Sequence, residues 1–264
     1  MESRFDLWVL WGRNRRMDGQ SSSRVVSNVA VVWQEFFDFL RNPRLPTKQM
    51  AFGRTAVAEV GILLLLDWLV VFLFLAAAFA VETAGVELPQ EIAEDWTVFE
   101  TILIVVILAP PIEELIFRAG LSGRKRAIIL SVSPWLLVAA LIGLVPIAGP
   151  IDPPLTVMLG LAWVAATAAV MAVQRDSGSV PDRYRHLFPA VFWISSVAFG
   201  LMHVFNYEDP LRPAVLLMVI PQITGGMMLG YVRVKYGMWA NIAQHVVFNA
   251  IAVALFYTWP GVFG

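Results

Sequence analysis

Long apolar runs alternate with short polar breaks along the chain, and the runs have membrane length. A transmembrane helix needs about 20 mostly apolar residues. Seven segments meet or approach that requirement: Gly61–Val81, Thr97–Leu121, Ile128–Ile147, Leu155–Val173, Leu187–Phe205, Leu211–Val232 and Met238–Phe263. Unpaired amides are too costly in hydrocarbon, so each run is expected to be helical. Upstream, Val25, Val29, Val32, Trp33, Phe36, Phe37 and Leu40 recur at helical spacing, with N-cap candidates at Ser21–Ser23. This predicts an amphipathic helix over Val25–Leu40 on the cytoplasmic face, ended by Pro43 and Pro46. The expected fold is all-α: a polytopic membrane bundle of about seven transmembrane helices behind that amphipathic helix. A cytoplasmic segment over residues 1–54 and a transmembrane domain over 55–264 are expected, without an internal repeat.

Composition agrees with this reading. Apolar residues make up 58% and charged residues 15% of the chain, against about 25% charged in soluble domains. The net charge of -1 leaves no basic domain, so nucleic acid is not an expected partner. The chain has no cysteine, which removes disulfides and thiolate metal sites. Basic residues before and after Leu7–Trp11, with no long apolar run following, argue against a signal peptide.

Loop charge sets an expected orientation. Arg4, Arg13, Arg15, Arg16, Arg24, Arg41, Arg44, Lys48 and Arg54 precede the first span, whereas the next loop carries Glu82, Glu87, Glu91, Glu94 and Asp95. Arg124, Lys125 and Arg126, then Arg175, Arg183 and Arg185, then Arg233 and Lys235 follow alternate spans. The positive-inside rule then places the N-terminus in the cytoplasm and the C-terminus outside.

Ionisable residues inside spans are functional candidates by default. They are Asp67, Glu113, Glu114, Arg118, His203 and His245, with Asn249 as a further strong polar group. Residues four apart share a helix face, so Glu114 faces Arg118, whereas Glu113 lies about 100° away and lacks that partner. An acid without a local cation suits a general base. Pro110 and Pro111 remove backbone donors just before it, so freed carbonyls beside Glu113 need other partners. Phe199 and His203 share a face, as do His245 and Asn249, and two donors aimed together suit an oxyanion. Taken singly, each pattern reads as readily as helix packing or an interfacial charge cluster. Gly226 and Gly230 form a GxxxG that signals close helix packing, and Asp67 matches no pattern.

Together, Glu113-Glu114-x-x-x-Arg118, Phe199-x-x-x-His203 and His245-x-x-x-Asn249 resemble the motif set of the CPBP family of intramembrane proteases. That family holds the type II CAAX prenyl proteases and related bacterial proteins. The run from Gly225 through Trp239, Asn241, His245 and Asn249 is similar to its closing segment, and the resemblance covers about residues 97–258. It implies a membrane-embedded endopeptidase in which Glu113 activates water, His203 helps hold that water, and His245 with Asn249 stabilises the oxyanion. Glu114, Arg118 and Phe199 take supporting positions. The implied substrate is a membrane-associated peptide or protein, with a lipidated C-terminus as one form, and a bacterial plasma membrane is expected over an organelle membrane. The stretch from Arg118 to Phe199 is longer than the resemblance calls for, with two extra spans that preserve orientation.

Depth provides a check. Glu113 and His245 fall roughly 10–12 Å from the inner ends of their spans, but His203 lies about 24 Å beyond Leu187. Its span must therefore begin nearer Trp193, tilt or break, and Pro189 permits a cytoplasmic projection. No cofactor is expected, although two histidines and a glutamate leave a zinc-dependent protease open. A proton-coupled transporter or a non-catalytic scaffold are the readings from other classes.

Overall fold

The computed structural model describes residues 29–51, 53–92, 96–148, scattered positions between 159 and 169, and 180–258. The expected span over 155–173 lies mostly outside the described residues, as do Val25 and the Ser21–Ser23 caps. The described elements are α1 (Val29–Arg41), α2 (Arg54–Thr83), α3 (Val98–Thr101), a π-helical turn (Ile102–Leu108), α4 (Ala109–Arg118) and a 3-10 turn (Ala119–Ser122). They continue with α5 (Lys125–Ala148), α6 (Asp182–Met202), a second 3-10 turn (His203–Asn206), α7 (Val215–Met218), α8 (Ile220–Tyr236) and α9 (Met238–Thr258). No strand occurs among the described residues beyond one isolated bridge between Glu91 and Tyr207. The fold is all-helical.

Four described helical stretches are long and apolar enough to cross a membrane: Arg54–Thr83, Asp182–Asn206, Val215–Tyr236 and Met238–Thr258. The run expected over Thr97–Leu121 is one continuous column of α, π and α turns rather than a uniform helix. Thr97 caps it with a capping box, its hydroxyl accepting from Glu100 N while the Glu100 carboxylate accepts from Thr97 N at 2.8 Å.

α6 and α8 form the centre. Gly200 and Gly226 bring backbone against backbone, and Gly230 makes room for a ring. A Cβ at Gly226 would stand 2.9 Å from Ser196 O, and one at Gly230 would stand 2.9 Å from the Phe192 ring. A Cβ at Gly200 would collide with Ile223, including its backbone N at 2.8 Å. The close packing predicted from Gly226 and Gly230 is thus realised as a tight seam, and Gly200 extends it.

α1 docks onto this centre through Val32, Phe36 and Phe39, which are buried. The Phe36 ring meets Tyr231 edge-on at 5.5 Å, and Phe39 meets Phe192 at 5.0 Å. The apolar stripe predicted for an amphipathic helix is therefore covered by protein in part: Val32 and Phe36 are buried and Trp33 and Leu40 pack beside them, whereas Val29 and Phe37 stay exposed.

Arg233 and Lys235, expected as loop charges, instead lie in the last turn of α8 and are buried. α8 starts nine residues later than the apolar run it was read from, at Ile220 rather than Leu211, and ends four later, at Tyr236 rather than Val232. Partners explain how the charges are tolerated. Lys235 Nζ donates to Glu59 Oε2 at 2.7 Å and to Glu35 Oε2 at 2.8 Å. The Tyr236 hydroxyl donates to the same Glu59 oxygen. Arg233 Nε donates to Arg118 O at 3.2 Å.

Candidate active site

α4 brings both carboxylates into the centre, but not equally. The Glu114 side chain is fully buried and Glu113 is 28% exposed. Glu114 Oε1 accepts from Arg118 Nη1 at 2.7 Å and from His245 Nδ1 at 2.9 Å, and Oε2 accepts from Asn241 Nδ2. The i,i+4 pairing of Glu114 with Arg118 is as the spacing predicts. Arg118 is itself fully buried and stacks its guanidinium 3.9 Å from the Phe199 ring centre. Its Nη2 reaches Gly226 O at 3.5 Å, a contact that only a glycine at 226 leaves open.

Each imidazole has one nitrogen fixed by an acceptor. A carboxylate accepts only, so His245 Nδ1 carries a proton toward Glu114 and Nε2 faces Glu113 Oε2, 3.7 Å away. A carbonyl likewise accepts only, so His203 donates from Nδ1 to Phe199 O at 2.8 Å. That leaves Nε2 of a neutral His203 with a lone pair. Both rings pack on Phe199, His203 at 4.9 Å and His245 at 5.7 Å between centroids.

The helix that carries His203 neither breaks at Pro189 nor begins near Trp193. α6 begins at Asp182, five residues before the apolar run, and continues through Pro189. Ser195 Oγ donates to Phe117 O at 2.6 Å, which sets Phe199 level with Arg118 and puts His203 one turn further along, toward Glu114. His203 itself ends the helix, in the 3-10 turn that follows.

Glu113, Glu114, Arg118, Phe199, His203 and His245 are thus joined by direct contacts or a shared ring. Asn249 stands apart: its Nδ2 donates to Val105 O at 2.8 Å in the π-helical turn. Sequence reasoning gave Asn241 no role, although it lies four residues before His245 and eight before Asn249 on one face of α9. Stepping one turn back along the His-Asn motif would have found it. Among the described residues no three His, Asp or Glu side chains converge as a metal-binding group. Asp67 is buried against Gly225, where a Cβ would lie 3.3 Å from its Oδ1.

Residues 176–251 match the family model described as Rce1-like, type II CAAX prenyl endopeptidase. The matched stretch contains Phe199, His203, His245 and Asn249, whereas the Glu113–Arg118 column precedes it. The match supports the CPBP, CAAX-protease-like family, and with it a peptide hydrolase acting on a membrane-associated protein. With the apolar helices it supports an integral membrane protein. Neither the curated proteins nor the solved structures yield a match to this chain.

Proposed function

We propose that the protein is an intramembrane endopeptidase that hydrolyses a peptide bond with water activated at Glu113. One observation carries the reading. Of two neighbouring carboxylates, Glu114 has both oxygens occupied by N–H donors, while Glu113 is half-buried and faces an imidazole nitrogen. A carboxylate fully buried behind three donors leaves a water no approach, and a partly open one can take a water proton.

In this mechanism Glu113 takes a proton from water as the oxygen attacks the scissile carbonyl. His203, oriented by Phe199 O, accepts a hydrogen bond from the same water at Nε2. The carbonyl π electrons move to oxygen, and His245 at Nε2, with the second N–H of Asn249, stabilises the oxyanion. Glu114 holds the orientation of that ring through Nδ1. When the tetrahedral intermediate collapses, the C–N bond breaks and the proton that Glu113 took is relayed by way of His203 Nε2 to the leaving amine, which returns Glu113 to its carboxylate. Water activation in this reading is metal-free, with Glu114 held by Arg118, His245 and Asn241 in a supporting place. The complete bundle has seven spans, with the N-terminus cytoplasmic and the C-terminus outside, in a bacterial plasma membrane. The substrate is a membrane-bound polypeptide with a lipidated C-terminus.

Purified protein in detergent, given a fluorogenic farnesylated peptide ending in a CAAX sequence, tests this. The wild-type chain is expected to cleave it and to remain insensitive to chelators, and Glu113→Gln is expected to be inactive yet folded. Undiminished cleavage by Glu113→Gln overturns the proposal, and loss of cleavage with chelator returns the zinc mechanism.

A further inference from the structure

The column that carries Glu113 leaves carbonyls without a backbone partner, because Pro110 and Pro111 bring no N–H, and Val105 O is one of them. In the π-helical turn Ile102–Leu108 the amide of Ala109 donates to Ile104 O, five residues back. In an α-helix that amide would have served Val105 O. In the π register the donor to Val105 O would be residue 110, and Pro110 has no N–H. Val105 O is therefore passed over by both registers. An unpaired carbonyl at membrane depth costs too much to leave alone. Asn249 fills the place, with Nδ2 2.8 Å from Val105 O.

α9 grips this column on both sides of the gap. Tyr257 OH and Thr101 Oγ1 lie 2.8 Å apart before it, and His245 and Asn241 hold Glu114 after it. A π-turn holds one more residue than an α-turn, so reverting it would rotate Ala109–Arg118 by about 100° against Val98–Thr101. The Tyr257 contact and the Glu114 contacts then could not both survive. Glu113 would leave the face it shares with His245.

We propose that Asn249 is a positioning residue for Glu113, holding the wide turn at Ile102–Leu108 open by supplying the donor that Pro110 lacks. The inference rests on the reading of Glu113 as the activating acid. It is separate from any hydrogen bond that the other N–H of Asn249 gives to substrate.

A double-mutant cycle tests it. Pro110→Ala returns an N–H to residue 110, which in the π register that Ala109 already follows serves Val105 O and makes the Asn249 donor redundant. Pro110→Ser provides the same amide if the alanine variant does not fold. Purified variants in detergent are compared for kcat and KM on the farnesylated CAAX peptide, and for thermal unfolding midpoint. In the wild-type background, Asn249→Ala is expected to lower kcat about tenfold to a hundredfold with KM held within about twofold, and to lower the midpoint by several degrees. In the Pro110→Ala background the same substitution is expected to lower kcat at least about threefold less than in the wild-type background, the remaining fall being its loss as an oxyanion donor, and to leave the midpoint nearly unmoved. An equal fall of kcat and midpoint in both backgrounds overturns the inference. Equal fall of kcat with coupled midpoints also overturns it, because Asn249 would then act on substrate while the bond merely stabilises. If the wild-type chain does not cleave the peptide, the protease reading fails, and uncoupled midpoints still overturn the tie between Asn249 and the turn.

Discussion

The cluster around Glu114 and the cluster around Lys235 use the same residue types to different ends. At Lys235 one cation meets two carboxylates, Glu35 and Glu59, and a tyrosine hydroxyl shares the second of them. At Glu114 one carboxylate meets a cation, an imidazole and an amide. The first joins α1 and α2 to the end of α8. The second also fixes its members, but it has a neighbour, Glu113, outside the saturated set and 28% exposed. A buried charge with complete partners acts as a fastener. Chemistry needs a group next to such a fastener and not fully inside it.

The largest expected effect falls on that leftover acid. Glu113→Gln should lower kcat by about 10²- to 10⁴-fold while leaving the unfolding midpoint close to wild type, measured by peptide cleavage and thermal melting. The saturated neighbour should behave differently. Glu114→Ala strips Arg118 of its carboxylate and should cost about 3–5 kcal/mol of stability, read from denaturant or thermal unfolding in detergent, along with activity. Lys235→Met strands Glu59 and Glu35 and should cost about 2–4 kcal/mol, somewhat less because the Glu35 side chain is 24% exposed. Any Lys235→Met protein that remains folded should keep its kcat, which separates a fastener from a catalytic group. Gly226→Ala is the smallest test: a Cβ 2.9 Å from Ser196 O should cost about 1–3 kcal/mol through overpacking, visible as a lower midpoint.

Helix class and several contacts were legible in the chain itself, for local reasons. The Glu114–Arg118 pair and the Phe199–His203 pair follow from i,i+4 spacing. The close approach at Gly200, Gly226 and Gly230 follows from the absence of a Cβ. The π-turn was only half legible: Pro110 and Pro111 announced freed carbonyls, but not which carbonyl or that Asn249 would take it. The Lys235 cluster was hidden because its members lie 176 and 200 residues apart, and charges at the end of an apolar run normally read as solvated. The start of α6 was hidden too, since Asp182–His186 is polar enough to pass for a loop yet remains helical.

The glycine seam between α6 and α8 constrains how a peptide could reach Glu113. With backbone atoms in mutual contact at Gly200 and Gly226, the two helices can neither slide nor part cheaply, so they behave as a single plank. His203 and the Phe199 ring ride on that plank. Among the described residues, the wall where α9 meets the column of residues 98–118 is joined instead by separate side-chain hydrogen bonds, and such bonds part at lower cost than interlocked backbones.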